Sequence, residues 1–203
     1  MNTVHMDGQT VVPSKVVCVG RNYAAHIKEL NHAPPEHPVI FVKPNSAISG
    51  EVRYQPGDVI HYEAEIALLV RDGQFAGVGL GLDLTKREIQ TYLKQNGLPW
   101  ERAKGFDGAA VFSEFVSLDG QLSSLTLELS VNGEVKQHGG YELMLFKPEA
   151  LLMEVSGFMT LEDNDLLMTG TPKGVGPIRK SDHLQGRILN GTEELVVAEW
   201  NVI

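Results

Sequence analysis

The stretch HYEAEIALLV, residues 61–70, sets two carboxylates, Glu63 and Glu65, at the entrance to an apolar run. Side chains alternate along a strand, so His61, Glu63 and Glu65 share one face while Tyr62, Ala64 and Ile66 share the other. Two like charges roughly 7 Å apart in a half-dry site repel, unless a cation or a basic side chain stands between them. Spacing alone fits an exposed strand face carrying salt bridges better. A third carboxylate shifts the balance: Asp83, between Leu82 and Leu84, stands in an apolar setting with little room for plain solvation. Its bland reading is a charge at a helix terminus, worth about 0.5 kcal/mol. Three carboxylates without a thiolate suit a hard, oxygen-seeking ion such as Mg²⁺ or Mn²⁺.

Three further segments carry reactive types. In GRNYAAHIKEL, His26 and Glu29 stand three apart and so share a helical face, the arrangement in which a carboxylate orients an imidazole and raises its basicity toward water. Most such pairs are ordinary surface contacts. Lys104, in RAKGFDGAA, is by default a solvated lysine, but beside three carboxylates and an anionic ligand it has a purpose. LLMTGTPKGVGP (166–177) ends a strand in a glycine-rich turn where backbone N–H groups and Thr171 can receive an anion. It does not match a phosphate-binding G-x-x-x-x-G-K-[ST] loop, and GVGLG at 77–81 does not match the dinucleotide pattern. G-x-S-x-G and H-E-x-x-H are also missing, which leaves a serine hydrolase and a zincin unsupported.

Positioning these groups requires mostly strands. KVVCVG, PVIFVKP, HYEAEIALLV, LTLELSV with EVKQH, DLLMTG and ELVVAEWNV all read as strands. Asn132-Gly133 marks a two-residue hairpin, and PGD at 56–58 and EDND at 162–165 mark further turns. Three helices are expected. TKREIQTYLKQN has Thr85 and Glu88 as a capping box, Ile89, Tyr92 and Leu93 as an apolar stripe, and Gly97 as a stop. KPEALLMEVSG starts at Pro148 and stops at Gly157, and NYAAHIKEL (22–30) has Asn22 as its cap and is followed by a PPEHP loop. About nine residues make a marginal helix, so this last one is expected to order only against something packed beneath it. So few helices among so many strands point to an α+β, predominantly β fold, a mixed β-roll or sandwich, and not to a doubly wound sheet.

Composition sets the outer limits. At 203 residues without repeats or low-complexity segments, the chain is expected to form one domain over 1–203. No apolar run approaches the roughly 18 residues that cross a bilayer, so no membrane partner is expected. Seventeen basic against 26 acidic residues give a charge of −9, with no basic run to follow a nucleic acid. A lone Cys18, with no signal or transit pattern at the start, makes the cytoplasm the expected compartment.

Taken in order, GRNYAAH, FVKP, GDVIHYEAE, LDLTKREIQ, AKGFD and LMTGTPKGVG resemble the fumarylacetoacetate hydrolase superfamily, from about Lys15 to the C-terminus. Six motifs in register make the resemblance specific, and the spacing is similar to the short acylpyruvate hydrolase and oxaloacetate decarboxylase branch. The resemblance implies a β-roll of that family's type, a homodimer, and Mg²⁺ or Mn²⁺ on Glu63, Glu65 and Asp83. It implies that His26 and Glu29 on a lid helix activate water, that Lys104 shares developing negative charge, and that Arg21, Gln90 and Thr171 contact a small 2-oxo-acid substrate. Glu88 stands where many members have Asp, and Asn164 where a turn glycine is usual; Asn tolerates the left-handed turn conformation. The expected reaction is hydrolysis of the C–C bond of an acylpyruvate such as acetylpyruvate or fumarylpyruvate, with pyruvate leaving as its enolate. Decarboxylation of oxaloacetate and isomerisation or decarboxylation of a 2-oxo diacid of aromatic catabolism use the same chelate. A noncatalytic protein binding a cation and a 2-oxo acid would need the carboxylates and Thr171 but no water-activating pair.

Overall fold

The computed structural model describes residues 1–24, 35–119 and 121–203. In chain order the strands are β1 (Val4–Met6), β2 (Gln9–Val11), β3 (Lys15–Gly20), β4 (Val39–Pro44), β5 (Ile48–Ser49), β6 (Ile60–Tyr62), β7 (Ala64–Arg71), β8 (Gln74–Asp83) and β9 (Thr85–Lys86). Two helices follow, α1 (Arg87–Gln95) and α2 (Glu101–Lys104), then β10 (Ala110–Phe112), β11 (Val116–Ser117), β12 (Leu125–Val131) and β13 (Glu134–Gly140). Helix α3 (Pro148–Ser156) precedes β14 (Leu166–Met168), β15 (Gly176–Pro177), β16 (His183–Asn190) and β17 (Glu193–Asn201).

Eight strands form a mixed sheet in the order β4-β3-β14-β7-β8-β10-β5, with β11 also on β8. Pairs β3/β14 and β5/β10 are parallel and the rest antiparallel. The sheet curls: Phe41 near one end and Ile48 at the other contribute to the same apolar cluster, with Met6, Ala67, Leu69, Phe115 and Met168. Its opposite face packs Ile66, Leu68, Leu80 and Leu82 against Leu127, Leu129, Ile188 and Trp200 of a second sheet, β13-β12-β16-β17. Helix α3 covers the β3/β14 region, burying Leu151 and Val155 against Val17, Val19 and Leu167. The α+β, predominantly β roll expected from the strand count is the architecture observed.

Strand β8, of ten residues, is the longest strand that the sequence patterns above leave out. Its glycines 77, 79 and 81 alternate with Val78, Leu80 and Leu82, so one face is bare backbone. Onto that face pack Met6 at Gly77, Phe115 at Gly79, and Phe112 and Met168 at Gly81. GVGLG is thus a packing device: large side chains from neighbours fill the space a Cβ would take. Asp83 ends the strand on this same face.

The Asn132-Gly133 hairpin forms with both residues at positive φ, 54° and 80°, and Asn164 takes the left-handed turn at 73°. Helix α3 begins at Pro148 as expected. Three local expectations are corrected. HYEAEIALLV is not one strand: β6 joins a small sheet with β9 and β15, β7 joins the large one, and Glu63 sits at the break. The capping box does not form, because Thr85 belongs to β9, α1 starts at Arg87, and no side chain caps it. The buried stripe of α1 is Gln90 and Leu93, while Tyr92 is 59% exposed. Residues 25–30 of the expected 22–30 helix, including His26 and Glu29, lie outside the described residues. Asn22, its expected cap, is buried and binds elsewhere: its Nδ2 donates to the carbonyls of Phe146 and Thr169, and its Oδ1 accepts from Phe146 N–H.

Candidate metal centre

Strand register brings the three acids together. The β7/β8 ladder pairs Ala64 with Leu82 and Glu65 with Gly81, and one step further the Asp83 N–H donates to the Glu63 carbonyl at 2.8 Å. Asp83 therefore faces Glu63 across the ladder, and Glu65 lies one pleat deeper. All three are buried, and one carboxylate oxygen of each lies within 4.8 Å of the others.

Among the described residues, three cations surround them. Lys104 Nζ lies 2.8 Å from Glu63 Oε2, 2.6 Å from Asp83 Oδ2 and 2.6 Å from Thr85 Oγ1. Lys43 Nζ lies 2.8 Å from Asp83 Oδ1, and the Arg87 guanidinium pairs with Glu63 Oε1. Glu65 has a backbone partner instead, the Gly170 N–H at 2.6 Å from Oε2. Burial, followed by the charges of Asp83 and Glu63, raises the Glu65 carboxyl well above its ordinary value, against the opposing pull of Lys104 and Gly170. For Lys104 burial favours the neutral amine, but Asp83 and Glu63 outweigh it and hold the ammonium more firmly protonated than an ordinary lysine.

The donor set fits a hard divalent ion. All three groups offer oxygen, and a carboxylate oxygen that accepts one hydrogen bond keeps a lone pair for an ion. With every carboxylate ionised, three negative charges face the three positive ones of Lys43, Lys104 and Arg87. A divalent ion added to such a balance carries two uncompensated charges, so it calls for an anionic ligand beside it.

The remaining lining of the cleft supplies that side. Arg21, Gln90, Lys94 and Thr171 line it with the triad, and Val19, Phe41 and Trp100 add apolar surface. Phe41 and Trp100 pack with ring centroids 5.6 Å apart, and Lys104 Nζ stands 5.1 Å over the Phe41 ring. Arg21 holds a left-handed backbone at φ 59°, and its Nε is buried without a hydrogen-bond partner among the described residues. A non-glycine residue in that conformation carries strain that neighbouring structure must hold in place. Gln90 Oε1 accepts from Arg87 Nη1 at 2.7 Å, and Thr171 Oγ1 donates to the Ala64 carbonyl at 2.8 Å while accepting from Gln137 Nε2 at 2.8 Å.

Seven of the nine residues singled out from the sequence thus line one cleft: Arg21, Glu63, Glu65, Asp83, Gln90, Lys104 and Thr171. His26 and Glu29 lie outside the described residues. Sequence reasoning gave no site role to Lys43, Thr85, Arg87, Lys94 or Gln137. A signal existed for Lys43, an ammonium inside an otherwise apolar strand, and for Arg87, three residues before Gln90 on the same helical face.

The model of the fumarylacetoacetate (FAA) hydrolase C-terminal family matches residues 15–199. An oxaloacetate tautomerase of Escherichia coli is 43% identical over 190 residues, covering 84% of this chain and 86% of the relative. A mitochondrial oxaloacetate tautomerase of Schizosaccharomyces pombe is 38% identical over 203 residues, covering 90% and 92%. Among solved structures, the fumarylpyruvate hydrolase of Pseudomonas aeruginosa in complex with Mn²⁺ and pyruvate superposes with a TM-score of 0.89 at 29% identity, covering 100% of this chain and 95% of that one.

Proposed function

We propose that this chain, which belongs to the fumarylacetoacetate hydrolase family, is a divalent-metal-dependent enzyme that interconverts keto and enol forms of a small 2-oxo acid, oxaloacetate first among them. The observation that carries the reading is the buried Glu63, Glu65 and Asp83 triad, in a cleft also lined by Arg21, Arg87, Lys94 and Lys104. The two relatives named oxaloacetate tautomerases put this reaction ahead of the C–C hydrolysis expected from the sequence.

Mg²⁺ or Mn²⁺ bound to the triad would supply Lewis-acid polarisation of the 2-oxo group. Lys104, fixed by Glu63, Asp83 and Thr85, carries the charge that offsets the negative oxygen as C3 loses its proton. Thr171, locked by Ala64 and Gln137, and Gln90, held by Arg87, border the volume in which the substrate oxygens sit. His26, oriented by Glu29, is assigned the proton: it takes one from C3 and returns one to the oxygen, with no net change in composition.

Hydrolysis of an acylpyruvate is the second reading, favoured by the match to a fumarylpyruvate hydrolase holding Mn²⁺ and pyruvate. There His26 would take its proton from water that adds to the distal carbonyl carbon. A panel decides between them. Purified protein with Mg²⁺ is given enol-oxaloacetate, acetylpyruvate and fumarylpyruvate, and kcat/KM is ranked. The tautomerase reading expects oxaloacetate to lead, with Asp83→Asn and chelator each removing the rate; cleavage of an acylpyruvate at the higher kcat/KM would overturn it.

A further inference from the structure

Asn22 follows the left-handed Arg21 just beyond β3, and its side chain is buried. Its Oδ1 accepts the Phe146 N–H at 2.7 Å, which leaves Nδ2 to donate to the carbonyls of Phe146 at 2.9 Å and Thr169 at 2.8 Å. The Thr169 carbonyl and the Gly170 N–H belong to one peptide unit, and that N–H is the donor to Glu65 Oε2 at 2.6 Å. A trans peptide is planar, so its C=O and N–H point opposite ways and turn together. Asn22 and Glu65 are thus joined through one rigid unit.

The chain on either side of this peptide is fixed separately. Thr169 donates to the Ile66 carbonyl from its N–H at 3.1 Å and from its hydroxyl at 3.0 Å, and the Thr171 hydroxyl donates to the Ala64 carbonyl at 2.8 Å. Those bonds locate the ends of the segment beside Glu65 but leave the plane between Thr169 and Gly170 free to swing, because a glycine sets little limit on rotation about its own bonds. Only glycine fits there: at φ 95° a Cβ would lie 2.8 Å from Asn22 Cβ and 3.0 Å from the Val19 carbonyl oxygen. The close approach that lets Asn22 reach the carbonyl therefore demands the residue that loosens the peptide, and the Asn22 amide is what fixes it. A hydrogen bond at the carbonyl also polarises the peptide and strengthens its N–H as a donor.

We infer that Asn22 is a positioning residue for the metal centre: it orients the Thr169–Gly170 peptide so that the N–H locks the Glu65 carboxylate for the ion. It acts through that peptide and Glu65, without touching ion or substrate. The inference rests on the reading of Glu63, Glu65 and Asp83 as a divalent-metal site. Hydrogen-bond partners behind a metal ligand hold its orientation, and their loss weakens the site even with every ligand in place.

The test has two readouts, and the first needs no metal. In protein isotope-labelled at glycine nitrogen, the Gly170 amide proton, bonded to a buried carboxylate, is expected far downfield, and in Asn22→Leu it should move upfield. The second is Mn²⁺ affinity, read from the electron paramagnetic resonance of the free ion and expected to fall about tenfold or more in Asn22→Leu. Asn22→Ser, whose hydroxyl stops one bond short of both carbonyls, carries the same readouts without added bulk and serves where Asn22→Leu does not fold. Leu184→Ala, a truncation in the buried core of β16, is the control for stability: it should lower Tm and leave both readouts in place. An unmoved Gly170 amide, an unchanged Mn²⁺ affinity, or an equal loss of affinity in Leu184→Ala overturns the role of Asn22 while leaving the metal reading intact. Wild-type protein that binds no Mn²⁺ overturns the metal reading itself.

Discussion

Lys43 Nζ stands 2.8 Å from Asp83 Oδ1, and neither side chain is more than 2% exposed. The same ammonium donates to the carbonyls of Ala109 at 2.9 Å, Leu84 at 3.3 Å and Lys104. One side chain of β4 thereby anchors Asp83, the chain just after it and the C-terminus of α2. Breaking such a pair from one side leaves a buried charge uncompensated, a loss of about 3–5 kcal/mol. Lys43→Met is expected to lower the urea-unfolding free energy of metal-free protein by that amount. Added Mg²⁺ should narrow the gap to wild type, because the ion restores positive charge beside Asp83. A loss under about 1 kcal/mol would mean that the pair does not hold this corner together.

The acids of this centre were readable from the sequence because their signal is local: E-x-E entering an apolar run, and an aspartate between leucines before a polar helix. Their convergence was not, since it depends on the β7/β8 register, and β8 was masked by three glycines that resemble a turn until Met6, Phe115, Phe112 and Met168 are placed on them. Thr85 misled for a related reason. Its sequence context fits a helix cap, but its hydroxyl donates to the Asp83 carbonyl and accepts from Lys104, and a buried ammonium outbids a helix N–H for it. Gln137 carries no such signal, because its partners lie tens of residues away, where no spacing rule reaches.

Glu65 couples metal binding to pH. Its carboxyl is held above 4.5 by burial and by Asp83 and Glu63, so the folded metal-free protein binds this proton more tightly than the unfolded chain does. The stabilisation it lends is complete below 4.5 and is lost as pH rises through the raised value. A divalent ion needs the ionised form and competes with that proton. Apparent Mg²⁺ affinity should therefore climb with pH above 4.5, by as much as about tenfold per unit, and level off beyond the raised value. Calorimetry in two buffers of different ionisation enthalpy should register close to one proton released per ion on the rising limb. Flat affinity without proton release would show Glu65 already ionised in the metal-free protein.

His61 reports on the opposite sign. Burial, followed by the Arg87 charge, takes its imidazole down to about 4, with Glu63 opposing, and Arg87 Nε lies 3.4 Å from its Nδ1. A lowered base contributes stability above its unfolded value of about 6.5 and loses it as pH falls toward 4. The imidazole resonances should titrate with a midpoint near 4 in the wild-type protein and at clearly higher pH in Arg87→Met, where the repelling charge is gone and Glu63 is released. A midpoint that ignores the Arg87 change would remove that arginine as a cause.

Gln137 ties the two sheets together beneath the cleft. From β13 its Oε1 accepts the Ala64 N–H at 2.9 Å, while Nε2 donates to Thr171 Oγ1 at 2.8 Å and to the Pro172 carbonyl at 2.9 Å. One buried amide thus fixes the start of β7, one residue before Glu65, relative to the turn carrying Thr171. Gln137→Ala leaves the Ala64 N–H and the Pro172 carbonyl without this partner in a dry site, at about 1–3 kcal/mol for each unsatisfied group. Urea unfolding should show a loss of about 3 kcal/mol, and the KM for the 2-oxo-acid substrate should rise as Thr171 loses its anchor. Gln185 is the control, an exposed glutamine whose Nε2 donates to Glu199 Oε1 at 2.8 Å on the outer face of β16. Gln185→Ala should cost no more than about 0.5 kcal/mol and leave KM where it is. Equal effects of the two substitutions would mean that the buried amide is no more than a surface contact in energetic terms, and that Thr171 is positioned by its bond to the Ala64 carbonyl alone.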